Sequence, residues 1–176
     1  MDKGYFQVYT GEGKGKTTAA LGLCLRALGA GLRVYLGQFI KGGRYSEIKA
    51  LETLAVALDG TLAVRQFGLG RFIRNGPSPE DMAAAREGLV EARAALVSGD
   101  WDLVVLDELN VAAHVGLVTE HDIIDLAAAR HPGVELLVTG RYATPAVIEA
   151  ADLVTEMRPI RHYFDKGVMA RKGIES

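Results

Sequence analysis

"TGEGKGKTTAALG", residues 10–22, is the stretch that decides the fold. It follows the apolar run "YFQVYT" (5–10) and opens a helix-length segment, so it reads as strand, glycine-rich loop and helix. The common phosphate-loop pattern G-x-x-x-x-G-K-[ST] needs a glycine five residues before Gly15, but Thr10 stands there and the first glycine comes one residue late, at Gly11. Gly11, Gly13 and Gly15 allow successive backbone N–H groups to converge on an anion, where a Cβ would crowd the concavity. The following helix points its positive end at the loop, Lys16 supplies a mobile cation, and the Thr17 hydroxyl suits Mg²⁺. Lys14 either touches phosphate or points to solvent. A polyphosphate is the expected ligand.

Further along the chain, runs of strand length alternate with helix-length segments. "RVYLGQF" (33–39), "LAVRQF" (62–67), "LVVLD" (103–107), "VELLVT" (134–139) and "LVTEM" (153–157) read as further strands. The run at 103–107 and the one at 134–139 are apolar enough for buried parallel strands. Helices are expected at about 16–30 and 46–58, and from Ser78, with Pro79 at the first helical position, to Gly99. Two more begin at Thr119, with Asp122 three residues on, and at Thr144 before Pro145. This alternation predicts an α/β fold: a single-domain, RecA-like P-loop three-layer sandwich over residues 1–176, with a mostly parallel sheet of about six strands. Ligands then belong at the carboxyl ends of the strands, where the irregular segment "GLGRFIRNGPSP" (68–79) also begins.

Composition sets outer limits. The chain has 176 residues, 49% of them hydrophobic and 24% charged, which predicts one packed domain. A net charge of −2 gives no general attraction to nucleic acid or anionic membrane, so neither is an expected partner. Cys24 is the single cysteine, which excludes an internal disulfide and a cysteine metal cluster and reads as a small core side chain. With no signal-like or membrane-length apolar run, the expected location is the cytoplasm.

A phosphate loop needs a carboxylate at the end of a second strand to hold its metal, and "LVVLDEL" offers Asp107 with Glu108 directly after it. A charge at the tip of a buried strand is costly unless paired, and Mg²⁺ would pair it. These residues point to ATP or GTP with Mg²⁺ without naming a reaction.

The loop "TGEGKGKTTAALG", "GQFIKG" (37–42), "VVLDELN" (104–110), "VTGR" (138–141), "EAADLVTEMRPIRH" (149–162) and "FDKGVMARKGIE" (164–175) together resemble the ATP:corrinoid adenosyltransferases of the CobA/CobO/BtuR type, over essentially the whole chain. The resemblance implies transfer of the 5′-deoxyadenosyl group of ATP to the cobalt of a reduced corrinoid, with release of triphosphate. It implies ATP and corrinoid as co-substrates, Mg²⁺, an external flavoprotein reductant and a homodimer. Gly11, Glu12, Gly13, Lys14, Gly15, Lys16 and Thr17 would cradle the triphosphate, with Thr18 alongside. Lys16 and Glu108 would act in the chemistry, and Thr17 and Glu108 would contact metal, with Asp107 as neighbour or substitute. Arg141 would contact a phosphate or the nucleotide, Lys41 and Arg44 being weaker candidates of the same sort. In the 68–79 segment Phe72 would lie against the corrinoid, while Ile73 or Arg71 stands near the place where many members carry tryptophan. Trp101 reads as core.

His114, His121 and His131 read as structural or solvent-facing, and the role of His162 stays open. Only nine residues precede Thr10, so closure of the site is expected from elsewhere, such as a partner subunit. Two other functions compete: a RecA-like ATP hydrolase, in which Glu108 activates water, and a carrier that binds both ligands and turns over neither.

Overall fold

The computed structural model describes residues 2–43, 45–71, 73 and 76–175. Six strands form in it, β1 (Phe6–Thr10), β2 (Val34–Phe39), β3 (Leu62–Phe67), β4 (Leu103–Asp107), β5 (Glu135–Thr139) and β6 (Leu153–Glu156), within two residues of the expected limits at each end. They make one all-parallel sheet in the order β3-β2-β4-β5-β1-β6. β5 therefore separates the strand that carries the glycine-rich loop from the one that ends in Asp107, a RecA-like arrangement of a single α/β domain.

Among the described residues six helices cover the sheet: α1 (Lys16–Gly29), α2 (Ser46–Ala57), α3 (Pro79–Ser98), α4 (Leu109–His114), α5 (Glu120–Ala129) and α6 (Pro145–Ala150). Successive strand residues point to opposite faces, and the core divides accordingly. Leu103, Val105 and Leu137 pack with Ala20, Cys24 and Ala27 of α1 and Ile48 and Leu51 of α2. Val104, Leu106, Leu136 and Val138 pack with α3, α4 and α5. β2 and β4 are buried on both faces, which is why they are apolar almost throughout.

The expected helix starts are present. Ser78 and Asp81 form a reciprocal capping box on α3, Thr119 and Asp122 form another on α5, and Thr144 caps α6. Each such cap contributes about 1 kcal/mol. α4 has no separate signal of its own in the sequence. Glu108 adopts a left-handed backbone (φ 61°) and turns β4 directly into that helix, an unusual conformation for a residue with a side chain.

β6 is an edge strand, paired among the described residues with β1 alone, and its four residues are all exposed. The chain beyond it runs back along the glycine-rich loop and includes a short 3₁₀ turn at Tyr163–Lys166. Cys24 is fully buried, and burial pushes its thiol pKa up to about 12, so it behaves as an inert core side chain. Trp101 packs edge-on against Tyr35, with ring centres 5.8 Å apart. No helix among the described residues is long and apolar enough to cross a membrane.

Candidate functional site

The alternation that divides the core also builds the site. Asp107 and Thr139 end β4 and β5, and Gln66 and Gln38 stand one residue before the ends of β3 and β2, all on the face that carries α1. Gln38 is the direct register partner of both Gln66 and Asp107. The result is one polar row across four neighbouring strands. Gln66 Nε2 donates to Gln38 Oε1 (3.1 Å) and Gln38 Nε2 donates to Asp107 Oδ2 (3.1 Å). The Thr139 hydroxyl donates to Asp107 Oδ1 (2.7 Å) and accepts from the Glu108 backbone N–H (3.0 Å).

Two further groups reach the same carboxylate from outside the sheet. Thr17, on the first turn of α1, donates to Asp107 Oδ1 (2.9 Å), and Lys41, on the loop after β2, places its ammonium 2.9 Å from Oδ2 and 3.2 Å from Thr17 Oγ1. Burial alone would lower the Lys41 pKa, but the adjoining Asp107 charge and its hydrogen bond outweigh that and hold it above the usual lysine value.

The loop itself is shaped by what lies behind it. A Cβ on Gly11 would sit 2.5 Å from the Met157 carbonyl oxygen, and one on Gly13 would sit 2.7 Å from the same atom. The Gly13 N–H donates to that oxygen (2.7 Å). These two glycines are thus required by close packing on the strand β6 exit, a reason additional to the openness toward phosphate expected from sequence. Gly15 caps α1 in a left-handed conformation (φ 119°).

Lys16 differs from the mobile cation expected. It is 6% exposed, and its ammonium donates to the carbonyls of Gly11 (2.5 Å) and Gly13 (2.8 Å). Burial lowers its pKa, with Arg141 adding to the effect.

Glu108 is half-buried, and no described residue donates a hydrogen bond to its carboxylate. Burial first, and then the neighbouring Asp107 charge, raise its pKa above the ordinary glutamate range. Its strand-end position gives it access to a cleft of about 840 Å³, a volume within the usual range for small-molecule sites. Gly13, Lys14, Gly15, Lys16, Thr17 and Thr18 form one wall of that cleft, and Lys41, Glu108, Arg141 and Tyr142 also line it. Gly11 and Glu12 do not line it; Glu12 instead pairs with Arg141 (3.5 Å) at the loop's edge.

The chain's own tail supplies another wall through His162, Gly173, Ile174 and Glu175. Lys14 ties it down, reaching the Ile174 carbonyl (3.1 Å) and the Glu175 carboxylate (3.4 Å). Glu175 also accepts from the Tyr163 hydroxyl and from Arg171. His162 Nδ1 accepts from the Phe164 N–H and so starts the 3₁₀ turn.

The 68–79 segment contributes no described residue to this cleft. Arg71 is tied to the start of α3 through Ser78 (2.7 Å) and Asp81 (3.2 Å), and Ile73 packs against the core. Phe72 and Arg44 lie outside the described residues. His131 accepts from the Gly133 N–H and His114 stacks on Tyr142 at 3.9 Å, so both have structural partners.

Sequence reasoning missed Gln38, Gln66, Thr139, Tyr163 and Glu175. The first three carried a signal, a polar residue at the carboxyl end of an apolar strand.

Among the described residues no three His, Cys, Asp or Glu side chains cluster to hold a metal ion. The oxygen donors of Thr17 and Asp107 nevertheless fit a hard divalent cation that keeps most of its waters and takes further ligands from phosphate. The Lys41 ammonium between them is a positive charge at that point.

The family model described as ATP:corrinoid adenosyltransferase BtuR/CobO/CobP matches residues 2–176. A "Corrinoid adenosyltransferase" of Pseudomonas aeruginosa is 36% identical over 174 residues, covering 99% of this chain and 84% of that protein. One of Escherichia coli is 36% identical over 175 residues, with 99% and 86% covered. "Corrinoid adenosyltransferase CobA" of Salmonella typhimurium is 35% identical over 175 residues, with 99% and 86% covered. Among solved structures, the flagellar accessory protein FlaH from Methanocaldococcus jannaschii superimposes with a TM-score of 0.60 at 13% identity, covering 89% of this chain and 72% of that one, a likeness of fold alone.

Proposed function

Because the chain belongs to the ATP:corrinoid adenosyltransferase family, whose activity is ATP-dependent adenosyl transfer to a corrinoid, we propose how its own residues perform that transfer and which partners it needs. The cobalt(I) electron pair attacks C5′ of ATP, a Co–C bond forms, and the C5′–O bond breaks with its electrons leaving on triphosphate. No general base is needed, since no proton moves in this step. The requirement is to absorb negative charge on the departing triphosphate.

The loop N–H groups of residues 13–18 and the α1 N-terminus provide part of that stabilisation. Lys16 provides more by turning from the Gly11 and Gly13 carbonyls to phosphate oxygens. Mg²⁺ held by Thr17 and Asp107, with Glu108 beside them, would neutralise phosphate charge. Arg141 contacts the nucleotide once Glu12 releases it, a reading supported by its position on the cleft wall.

The observation that carries this reading is a cleft lined by a phosphate loop, a buried lysine and Thr17, with Asp107 hydrogen-bonded behind Thr17. ATP is held with C5′ rather than the γ-phosphorus toward the attacking centre. Electrons for cobalt come from an external reduced flavoprotein, in keeping with a chain that has one buried cysteine. Two chains pair, a reading supported by the exposed edge strand β6 and by the exposed Ile160 and Phe164 after it. The enzyme acts in the cytoplasm.

Product analysis is the test. ATP with chemically reduced cob(I)alamin is expected to give triphosphate and adenosylcobalamin in equal amounts. Orthophosphate formed from ATP alone would instead support hydrolysis, with Glu108 activating water, and binding of both ligands without turnover would mark a carrier.

A further inference from the structure

Asp107 has no acceptor capacity to spare. An ionised carboxylate offers about four lone-pair positions, and this one receives Thr17 and Thr139 on Oδ1 and Gln38 and Lys41 on Oδ2, all at 2.7–3.1 Å. A divalent cation can bind Asp107 only if one of these donors leaves.

Three of them are poorly placed to go. Thr139 and Gln38 are fully buried on central strands, and Gln38 is further fixed by Gln66. Thr17 is itself the cation's other oxygen donor. Lys41 differs on every count: it lies on a loop, its side chain keeps 18% exposure against 1% for Asp107, and its long stem can carry the charge several ångströms away. Its ammonium contacts both Thr17 Oγ1 and Asp107 Oδ2, the same two atoms that fit the metal. Two cations cannot share those oxygens at such range.

We infer that Lys41 is a positioning residue that holds the metal site in its empty state, blocks divalent cation when no nucleotide is present, and transfers its ammonium to the triphosphate when metal and ATP enter together. This rests on the Mg²⁺-ATP reading above and adds an order to it: metal enters with the nucleotide rather than ahead of it. After the exchange Lys41 has two anionic destinations within the cleft it lines, the phosphates and the Glu108 carboxylate, which no described residue hydrogen-bonds.

The test measures Mn²⁺ binding by electron paramagnetic resonance on the full chain without nucleotide, for wild type, Lys41→Met, Lys41→Gln and Lys41→Arg. Removing the ammonium should tighten Mn²⁺ binding by about tenfold or more in the Met and Gln variants, and Lys41→Arg should stay near wild type. A purely structural lysine would not give tighter metal binding on removal. Unchanged or weaker Mn²⁺ binding in a folded Lys41→Gln protein overturns the inference. Circular dichroism establishes folding, and Gln retains a donor for Asp107 should Met fail to fold. Wild-type protein that binds no Mn²⁺-ATP would overturn the nucleotide reading itself; wild type that binds it, with variants that behave identically, overturns only the role given to Lys41.

Discussion

Replacing Asp107 with asparagine keeps the shape of the side chain and removes the charge that organises the polar row. The amide offers one acceptor oxygen where the carboxylate takes donors on both. Its oxygen would turn to the Lys41 ammonium and the Gln38 NH₂, two groups that only donate. Its NH₂ would then face the Thr17 and Thr139 hydroxyls, which must rotate to become acceptors. Thr139 already accepts from the Glu108 N–H, so its proton is left without its former partner. Hydrogen bonds to a charged group are worth about 1.5–3 kcal/mol each. Rotation of the hydroxyls and escape of Lys41 toward solvent recover part of that loss. A net destabilisation of about 2 kcal/mol is expected, or roughly 4–8 °C in Tm for a chain of this size. Urea unfolding of wild type and Asp107→Asn at pH 7 measures it. A loss under about 0.5 kcal/mol, the range of an ordinary surface substitution, would refute the view that this carboxylate is the hub of the row.

Lys16→Ala should lower adenosyl transfer by roughly 10²-fold or more, with the loss in kcat, because leaving-group charge develops in the transition state; steady-state assay of adenosylcobalamin formation checks it. Glu108 has a raised folded-state pKa, so its contribution favours folding below the ordinary glutamate range, near about pH 4, and that contribution is lost as pH rises through the folded value. Glu108→Gln should therefore be more stable than wild type at pH 7 and no different below about pH 4, while transfer falls; urea titrations at the two pH values decide this. Gly11→Ala combines a left-handed backbone (φ 92°) with a Cβ 2.5 Å from the Met157 carbonyl oxygen, so the loop must shift off the β6 exit. ATP affinity should drop at least tenfold, read by calorimetry. Glu175→Ala removes the acceptor shared by Lys14, Tyr163 and Arg171, and should speed hydrogen exchange across residues 163–175 while leaving global Tm within about 2 °C.

Much of the fold was legible because a parallel sheet covered on both faces gives short apolar strands and capped helices, and those signals are local. Ser78 with Pro79, and Thr119 with Asp122, mark their helices by chemistry that the structure repeats atom for atom. α4 escaped because its start depends on a left-handed Glu108, a conformation that no residue type announces. The site divided in the same way. The loop, Thr17 and Asp107 are adjacent in pattern as well as in space. Gln38 and Thr139 looked like ordinary strand ends until register put them beside Asp107. The rest depended on tertiary contact: Lys16 turned inward because two loop carbonyls accept it, Lys41 moved from weak candidate to direct partner of Asp107, and the tail closed over Lys14 from some 160 positions away.

The most direct measurement is a crystal structure of the protein with ATP, Mg²⁺ and a cobalt(II) corrinoid. The phosphates should lie along residues 13–18 with the ribose C5′ facing the corrinoid cobalt. A γ-phosphorus turned toward a water held by Glu108, with the corrinoid elsewhere or absent, would contradict the proposed chemistry.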